Sequence, residues 1–313
     1  MKILEELNVL GQCKKYGLSL WQCPSFLFLI MGIIICSVSV LSYLIGTKYI
    51  GEPRIVALIV LIIAAILLSL ATIITNSFEK LAEANRLKSE FVSIVSHQLR
   101  GPLSNLAWTL EVLMSGKVGK IEPEQLEYFK ILKENSDRMR DLVKDLLIVS
   151  RIESARLFLK KEEFSLEELT KEIIKEFEPF AKASNCQIEF FSQESLPKVY
   201  GDKYQIRQVI ENLLENAIRY TKGKGLVKIK IKKEKRSIRF EIEDNGVGIP
   251  KEDQKFIFQK FFRASNVLKY KTQGTGLGLY ISKAIVERSG GKIGFKSQEG
   301  VGSTFWFELP IKK

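Results

Sequence analysis

Among 313 residues there is one histidine, His97, in the stretch Phe91-Val-Ser-Ile-Val-Ser-His-Gln-Leu-Arg-Gly-Pro-Leu103. A neutral imidazole offers a nitrogen lone pair at pH 7, and no second histidine can replace this one as a nucleophile. A lone histidine is also an ordinary polar residue, so its surroundings decide. Read as a helix, the stretch places Val92, Val95, Leu99, Leu106, Leu110 and Leu113 within about 40° of the direction opposite His97. The ring then points away from the buried seam, among Ser93, Arg100 and Gly101, where a second domain has room to approach. Pro102 lacks an N–H and crowds the carbonyl of Gln98, which predicts a bend just past the histidine.

A second set of chemically suggestive residues lies further on. Asn212-Leu-Leu-Glu-Asn-Ala-Ile-Arg-Tyr220 puts Asn212, Asn216, Arg219 and Tyr220 on one helical face. Amide oxygens suit Mg²⁺, a guanidinium suits phosphate, and a tyrosine ring packs on a nucleoside. Asp244-Asn-Gly-Val-Gly248 follows a predicted strand; its carboxylate can accept an adenine amino hydrogen, and its glycines admit close approach of backbone. Gly274-Thr-Gly-Leu-Gly278 precedes a predicted helix, whose N-terminal amides can receive phosphate. Each element alone is equally compatible with a polar helix face or a plain turn. The three in this order point to a nucleotide.

The elements that must position these residues fall into three parts. Residues 26–46 and 55–75 carry no charge, and each suffices for a helix of roughly 30 Å, the thickness of a bilayer core. They read as two membrane-spanning helices joined by a short external loop, 47–54. A cleaved signal peptide is disfavoured because the first apolar run follows about 25 mixed residues. Lys14 and Lys15 before the first span, and Lys80, Arg86 and Lys88 after the second, place residues 1–25 and everything beyond residue 75 in the cytoplasm. The net charge of +12 fits a protein facing anionic lipid, and no aromatic-basic interleaving asks for nucleic acid. Cys13, Cys23, Cys36 and Cys186 match no common zinc spacing.

Residues 76–157 read as a helical hairpin turning at the glycines of 115–121. Its second helix has a heptad seam of Tyr128, Leu132, Asn135, Met139, Leu142, Leu146 and Val149. So narrow a seam calls for a homodimer forming a four-helix bundle, with Asn135 fixing register. Residues 158–313 mix helices with strands at 187–191, 226–232, 238–243, 292–297 and 303–309, an α+β sandwich large enough for its own core.

With these motifs in this order, residues 78–310 closely resemble the membrane-bound sensor histidine kinases of two-component systems. Ser96-His-Gln-Leu-Arg-Gly-Pro-Leu103 is similar to the phosphoacceptor box of a HisKA-type dimerisation domain. Asn212 to Tyr220 resembles the N box, Asp244 to Gly248 the G1 box, Ile257-Phe-Gln-Lys-Phe-Phe-Arg263 the F box, and Gly274 to Gly278 the G2 box. The resemblance implies a multi-domain chain ending in a Bergerat-type ATPase fold. It implies that Asp244 recognises the adenine of ATP, Asn216 holds Mg²⁺ with help from Asn212, Arg219 and Arg263 contact phosphates, and Tyr220 packs on the nucleoside. Gly246, Gly248, Ile249, Gly274, Thr275, Gly276, Leu277, Gly278 and Thr304 line the same site on this reading. Residues 250–273, with Phe258, Phe261 and Phe262, form its lid. His97 would take the γ-phosphoryl group with Gln98 beside it, and pass it to an aspartate of a response regulator receiver domain. The cell is then a prokaryote and the location its plasma membrane, with a membrane sensor or transporter as a further partner.

The chain departs from the pattern of the resemblance at three places. Gln98 stands where the family carries a carboxylate, so slow autophosphorylation is expected. Gly101 replaces the threonine or asparagine of bifunctional members, so weak phosphatase activity is expected. Ser289 stands where a histidine often precedes the Gly290-Gly291 turn. Two other readings stay open: a hydrolytic ATPase of the DNA gyrase kind, disfavoured because Asn212 occupies the place of its glutamate base, and a silent dimerising scaffold.

Overall fold

The computed structural model describes residues 24–50, 52–154, 157–268 and 274–311. The expectations for Cys13, Cys23, Lys14, Lys15 and lid residues 269–273 lie outside them. The described chain forms two compact units: residues up to Gln98 with 153–154, and residues 99–152 with 157–311.

The first unit contains helix α1 (Pro24–Tyr49) and the start of helix α2 (Pro53–Met114). Both are long and apolar enough to cross a membrane. Ile33, Leu44, Leu61 and Ile73 are each more than half exposed, so these are not the core helices of a globular domain. At their junction a Cβ on Gly46 would lie 2.6 Å from Cγ1 of Val56, which is 2% exposed, so the small residue lets the two helices pack closely. Proline at the start of α2 lacks only an N–H that a first helical turn leaves unused. The helix then continues without a break through His97 and Pro102.

In the second unit, the end of α2 turns through Gly116 and Gly119, both at positive φ, into helix α3 (Pro123–Glu153). The Gln125 side chain accepts a hydrogen bond from the Glu122 N–H at 3.1 Å, and Lys133 pairs with Glu111 across the hairpin at 3.3 Å. Leu103, Ala107 and Leu110 are buried on α2. The expected seam is not covered within one chain: Leu99 is 44% exposed, Leu106 41% and Tyr128 69%, with Leu132 and Met139 also exposed. Only its lower end, Val149, joins the main core, together with Ile152.

The α/β part begins with strand β1 (Glu162–Phe164), antiparallel to β3 (Val199–Gly201). Helix α4 (Leu166–Ala183) is capped by Ser165, whose hydroxyl accepts the Glu168 N–H. Helix α5 (Lys203–Tyr220) is capped by Asp202, which accepts the N–H groups of Gln205 and, from afar, Lys160. The main sheet comprises β2 (Cys186–Ser192), β4 (Gly225–Lys233), β5 (Ser237–Asp244), β6 (Lys292–Gln298) and β7 (Gly302–Pro310). Its order is β2-β4-β5-β7-β6, with β2 parallel to β4 and the other pairs antiparallel.

Strand alternation sends Val227, Ile229, Ile231, Ile238, Phe240, Ile242, Phe307 and Leu309 to one face, where all are buried. Against them pack α4, α5 and helix α7 (Gly278–Arg288) through Ile173, Ile206, Ile210, Leu213, Ile281 and Ile285. Phe240 and Phe307 stack at 4.8 Å in its centre, and truncating either to alanine costs about 3–5 kcal/mol. Residues 250–268 cross the site side through a 3₁₀ turn at Gln254–Phe256 and a short helix, α6 (Ser265–Leu268). Phe258 packs edge-on against Phe295 of β6, an ordinary core role.

Candidate nucleotide site and phosphoacceptor

A cavity of about 600 Å³, ample for a nucleotide, opens above α5, the end of β5 and the start of α7. Asn212, Asn216, Arg219 and Tyr220 all line it, as one face of α5 requires. The Asn212 amide donates to Ser282 Oγ of α7 at 2.9 Å, and its oxygen accepts from the Asn216 amide at 3.3 Å. Asn212 is thus held by α7 and in turn orients Asn216. Arg219 pairs with Glu215 one turn back. Burial pushes the Tyr220 hydroxyl above its ordinary value, against the opposing influence of Arg219 and Arg263, so it stays a neutral phenol.

Asp244 ends β5 with its carboxylate in the cavity. Its Oδ1 accepts the N–H of Gly246 at 2.8 Å and that of Ser303 at 3.3 Å. Burial nonetheless outweighs these bonds and raises its pKa to about 6. The following turn is fixed on both sides. Val247 N–H donates to the Tyr220 carbonyl, and Ile249 N–H donates to Ser297 Oγ at 2.9 Å. Gly248 has φ +63, and a Cβ there would lie 2.0 Å from the Gln298 carbonyl oxygen, so only glycine fits.

Gly274, Thr275 and Gly276 form the opposite wall, with Arg263 and the Tyr220 hydroxyl beside Gly274. Leu277 is buried, and its N–H donates to Thr275 Oγ at 3.1 Å. Gly278 opens α7, where a Cβ would lie 2.1 Å from Asn212 Oδ1. The glycine therefore brings the N-terminal end of α7 directly onto the amides of α5. Its first-turn N–H groups and positive dipole end are suited to receive an anion.

Three expected residues do not line the cavity: Gly246, Leu277 and Thr304. Thr304 faces a separate groove with Glu243 and Lys296 on the other side of the sheet, because strand side chains alternate and Ser303 takes the inward place. Ser303, Ser282 and Asp145 of α3, whose carboxylate accepts the Thr275 hydroxyl, are site residues that the sequence reading missed. The serines were findable by strand and helix period; Asp145 lies 130 positions from its partner and left no local trace.

His97 and Gln98 belong to the other unit, at its end on α2. Both are exposed, as are Ser93, Arg100 and Gly101, while Ser96 is 1% exposed. Nothing lies within 4 Å of a Cβ built on Gly101. The ring therefore stands on an open face, the outcome expected from the helical period.

Two family models match. That of the His Kinase A phospho-acceptor domain covers residues 87–155, and that of the histidine kinase-, DNA gyrase B- and HSP90-like ATPases covers 201–313. Sensor histidine kinase GacS of Pseudomonas protegens is 32% identical over 236 residues, 74% of this chain and 25% of its own length. The chain spans about a quarter to a third of the curated relatives it matches first. Full-length ShkA in complex with AMPPNP superposes with a TM-score of 0.60 at 27% identity, over 71% of this chain and 46% of that one. Histidine kinase ThkA in complex with the response regulator protein TrrA gives 0.51 at 30% identity, over 71% and 61%. The phosphoacceptor helix pair, the ATPase sandwich and these likenesses agree, and the chain belongs to the two-component sensor histidine kinases, with a HisKA domain followed by a Bergerat-type ATP-binding domain.

Proposed function

We propose that this chain is an ATP-dependent protein-histidine kinase that phosphorylates itself on His97 and then passes the phosphoryl group to an aspartate of a response regulator receiver domain. The single observation that carries the reading is the convergence of Asp244, Asn216, Tyr220 and the Gly274–Gly278 turn on one cavity, in a chain whose only histidine is exposed.

Asp244 accepts the adenine amino hydrogen through Oδ2, since Oδ1 is already engaged by Gly246 and Ser303. Tyr220 packs on the nucleoside, and Arg219, Arg263 and the start of α7 receive phosphates. The amide oxygens of Asn216 and Asn212 are hard, neutral donors of the kind Mg²⁺ takes beside phosphates and water. In this arrangement Asn216 is the ligand and Asn212 its support, because both ends of the Asn212 amide are occupied. When bound, Mg²⁺ disperses the charge of the transferring phosphoryl group. The neutral imidazole nitrogen of His97 attacks γ-phosphorus in line; the bond to the β,γ-bridging oxygen breaks, and ADP leaves. Gln98 hydrogen-bonds the ring but takes no proton, and Gly101 offers nothing to orient water, so transfer is slow and phosphatase activity weak.

The exposed seam of α2 and α3 supports a homodimeric four-helix bundle. The apolar surfaces of α1 and α2 support residence in a prokaryotic plasma membrane, with the kinase part cytoplasmic and a membrane sensor or transporter as partner. Replacing both spans by unrelated ones should abolish the response to that partner; a normal response contradicts it. The activity itself is tested with the full chain in nanodiscs, Mg²⁺ and γ-labelled ATP. Acid-labile label is expected in the wild type and absent in His97→Gln, and label that persists in His97→Gln refutes the reading.

A further inference from the structure

The Thr275 hydroxyl donates to Asp145 Oδ2 of α3 at 2.9 Å. The Thr275 hydroxyl oxygen itself accepts the Leu277 N–H at 3.1 Å, so its one proton is committed to the Asp145 carboxylate. Thr275 lies in the glycine turn before α7, the end of the cavity that receives phosphates. A carboxylate and a phosphate cannot both take that proton, and two anions repel each other there. The charged and titratable groups around Asp145 are Asp141, Lys144 and Glu215; burial, Asp141 and Glu215 disfavour its charge, while Thr275 and Lys144 favour it. Asp145 and Asp141 line the cavity together with Glu215 of α5.

The other end of α7 is also tied to α3. Arg288 donates through Nη2 to the Ile152 carbonyl at 2.7 Å and through Nη1 to that of Leu157 at 3.1 Å. These bonds end on backbone remote from the phosphate turn, so a nucleotide has nothing with which to displace them. Of these two ties, that at Thr275 is the one open to competition.

We infer that Asp145 is a built-in competitor of the nucleotide: its carboxylate holds the Thr275 hydroxyl in the empty chain and is displaced by the phosphates of ATP, releasing the start of α7 from α3 while Arg288 keeps the far end attached. The inference rests on the ATP site proposed above. It makes nucleotide binding and release of the start of α7 from the helical hairpin one event. Asp145 acts through Thr275 and is no part of the phosphoryl-transfer chemistry.

The test is calorimetric binding of AMPPNP with Mg²⁺ to the full chain in nanodiscs. Asp145→Ala is expected to bind about tenfold tighter than the wild type, the scale of one charge-assisted hydrogen bond that no longer has to be broken. Asp145→Asn, which keeps an acceptor but loses the charge, should fall between, and carries the test if the alanine variant does not fold. In a Thr275→Ala background most of the gain from Asp145→Ala should vanish. Unchanged or weaker binding in both Asp145 variants overturns the inference and makes the contact a support of the bound state; so does a full gain that persists without the Thr275 hydroxyl. Binding that needs Asp244 yet ignores Asp145 leaves the ATP site standing. A wild type that binds no AMPPNP removes both.

Discussion

The ATP-binding domain and the helical hairpin solve the burial of apolar surface in opposite ways. In the domain, a five-stranded sheet and three helices close on themselves, and Phe240, Phe307, Ile210 and Ile229 are fully buried. In the hairpin, two helices leave Leu99, Leu106, Trp108, Tyr128 and Met139 exposed. A sandwich has an inner face that its own helices can cover, whereas two helices have only one shared line of contact. The nucleotide site is therefore organised within one chain, while the hairpin leaves an apolar seam for the second copy proposed above to cover.

The largest expected effect sharpens the first half of this contrast. Asp244→Asn should cost about a hundredfold in nucleotide affinity, since an amide presents the wrong group to the adenine amine. It should at the same time stabilise the empty protein. A carboxyl whose folded pKa lies at about 6, above its ordinary 3.8, binds its proton more tightly when folded. Its contribution is most favourable below pH 3.8 and is lost as pH rises through about 6. At pH 7 the ionised group costs about 1–3 kcal/mol, which the neutral amide recovers while keeping an Oδ1 acceptor for Gly246 and Ser303. Thermal melts of wild type and Asp244→Asn should converge as pH is lowered to 5; equal melting at pH 7.5 would contradict the cause assigned to the shift.

Leu106→Asp attacks the other half. It places a charge on the exposed seam, so sedimentation should show monomers and autophosphorylation should fall more than tenfold, whereas AMPPNP affinity should be unchanged because the nucleotide walls lie in one chain. Loss of nucleotide affinity alongside the dimer would break the comparison. The smallest effect belongs to Gln98→Glu, which supplies a proton acceptor beside His97 and should raise the autophosphorylation rate about tenfold without altering affinity. An unchanged rate would contradict the role proposed for Gln98.

What the sequence disclosed divides along the same line. Periodicity located the long helices, the exposed face of His97 and the five strands of the main sheet, because each repeats a local rule over several residues. The three-residue pair β1 and β3 was missed, since a strand so short has no period to read. Placing the nucleotide residues needed only the order of motifs, yet Thr304 fell one residue from the inward position that Ser303 holds, and a slip of one reverses the face of a strand. Asp145 could not be read at all: its meaning comes from α3 meeting the start of α7, a contact that depends on the folded domain.

The central claim, that ATP held at Asp244 phosphorylates His97, is tested most directly by mapping the phosphate. The full chain in nanodiscs is incubated with ATP and Mg²⁺, digested under alkaline conditions that preserve a phosphoramidate, and analysed by mass spectrometry beside Asp244→Ala. Phosphate on His97 in the wild type, and none in Asp244→Ala, is the predicted result. Phosphate on another residue, or undiminished phosphate on His97 in Asp244→Ala, would contradict it.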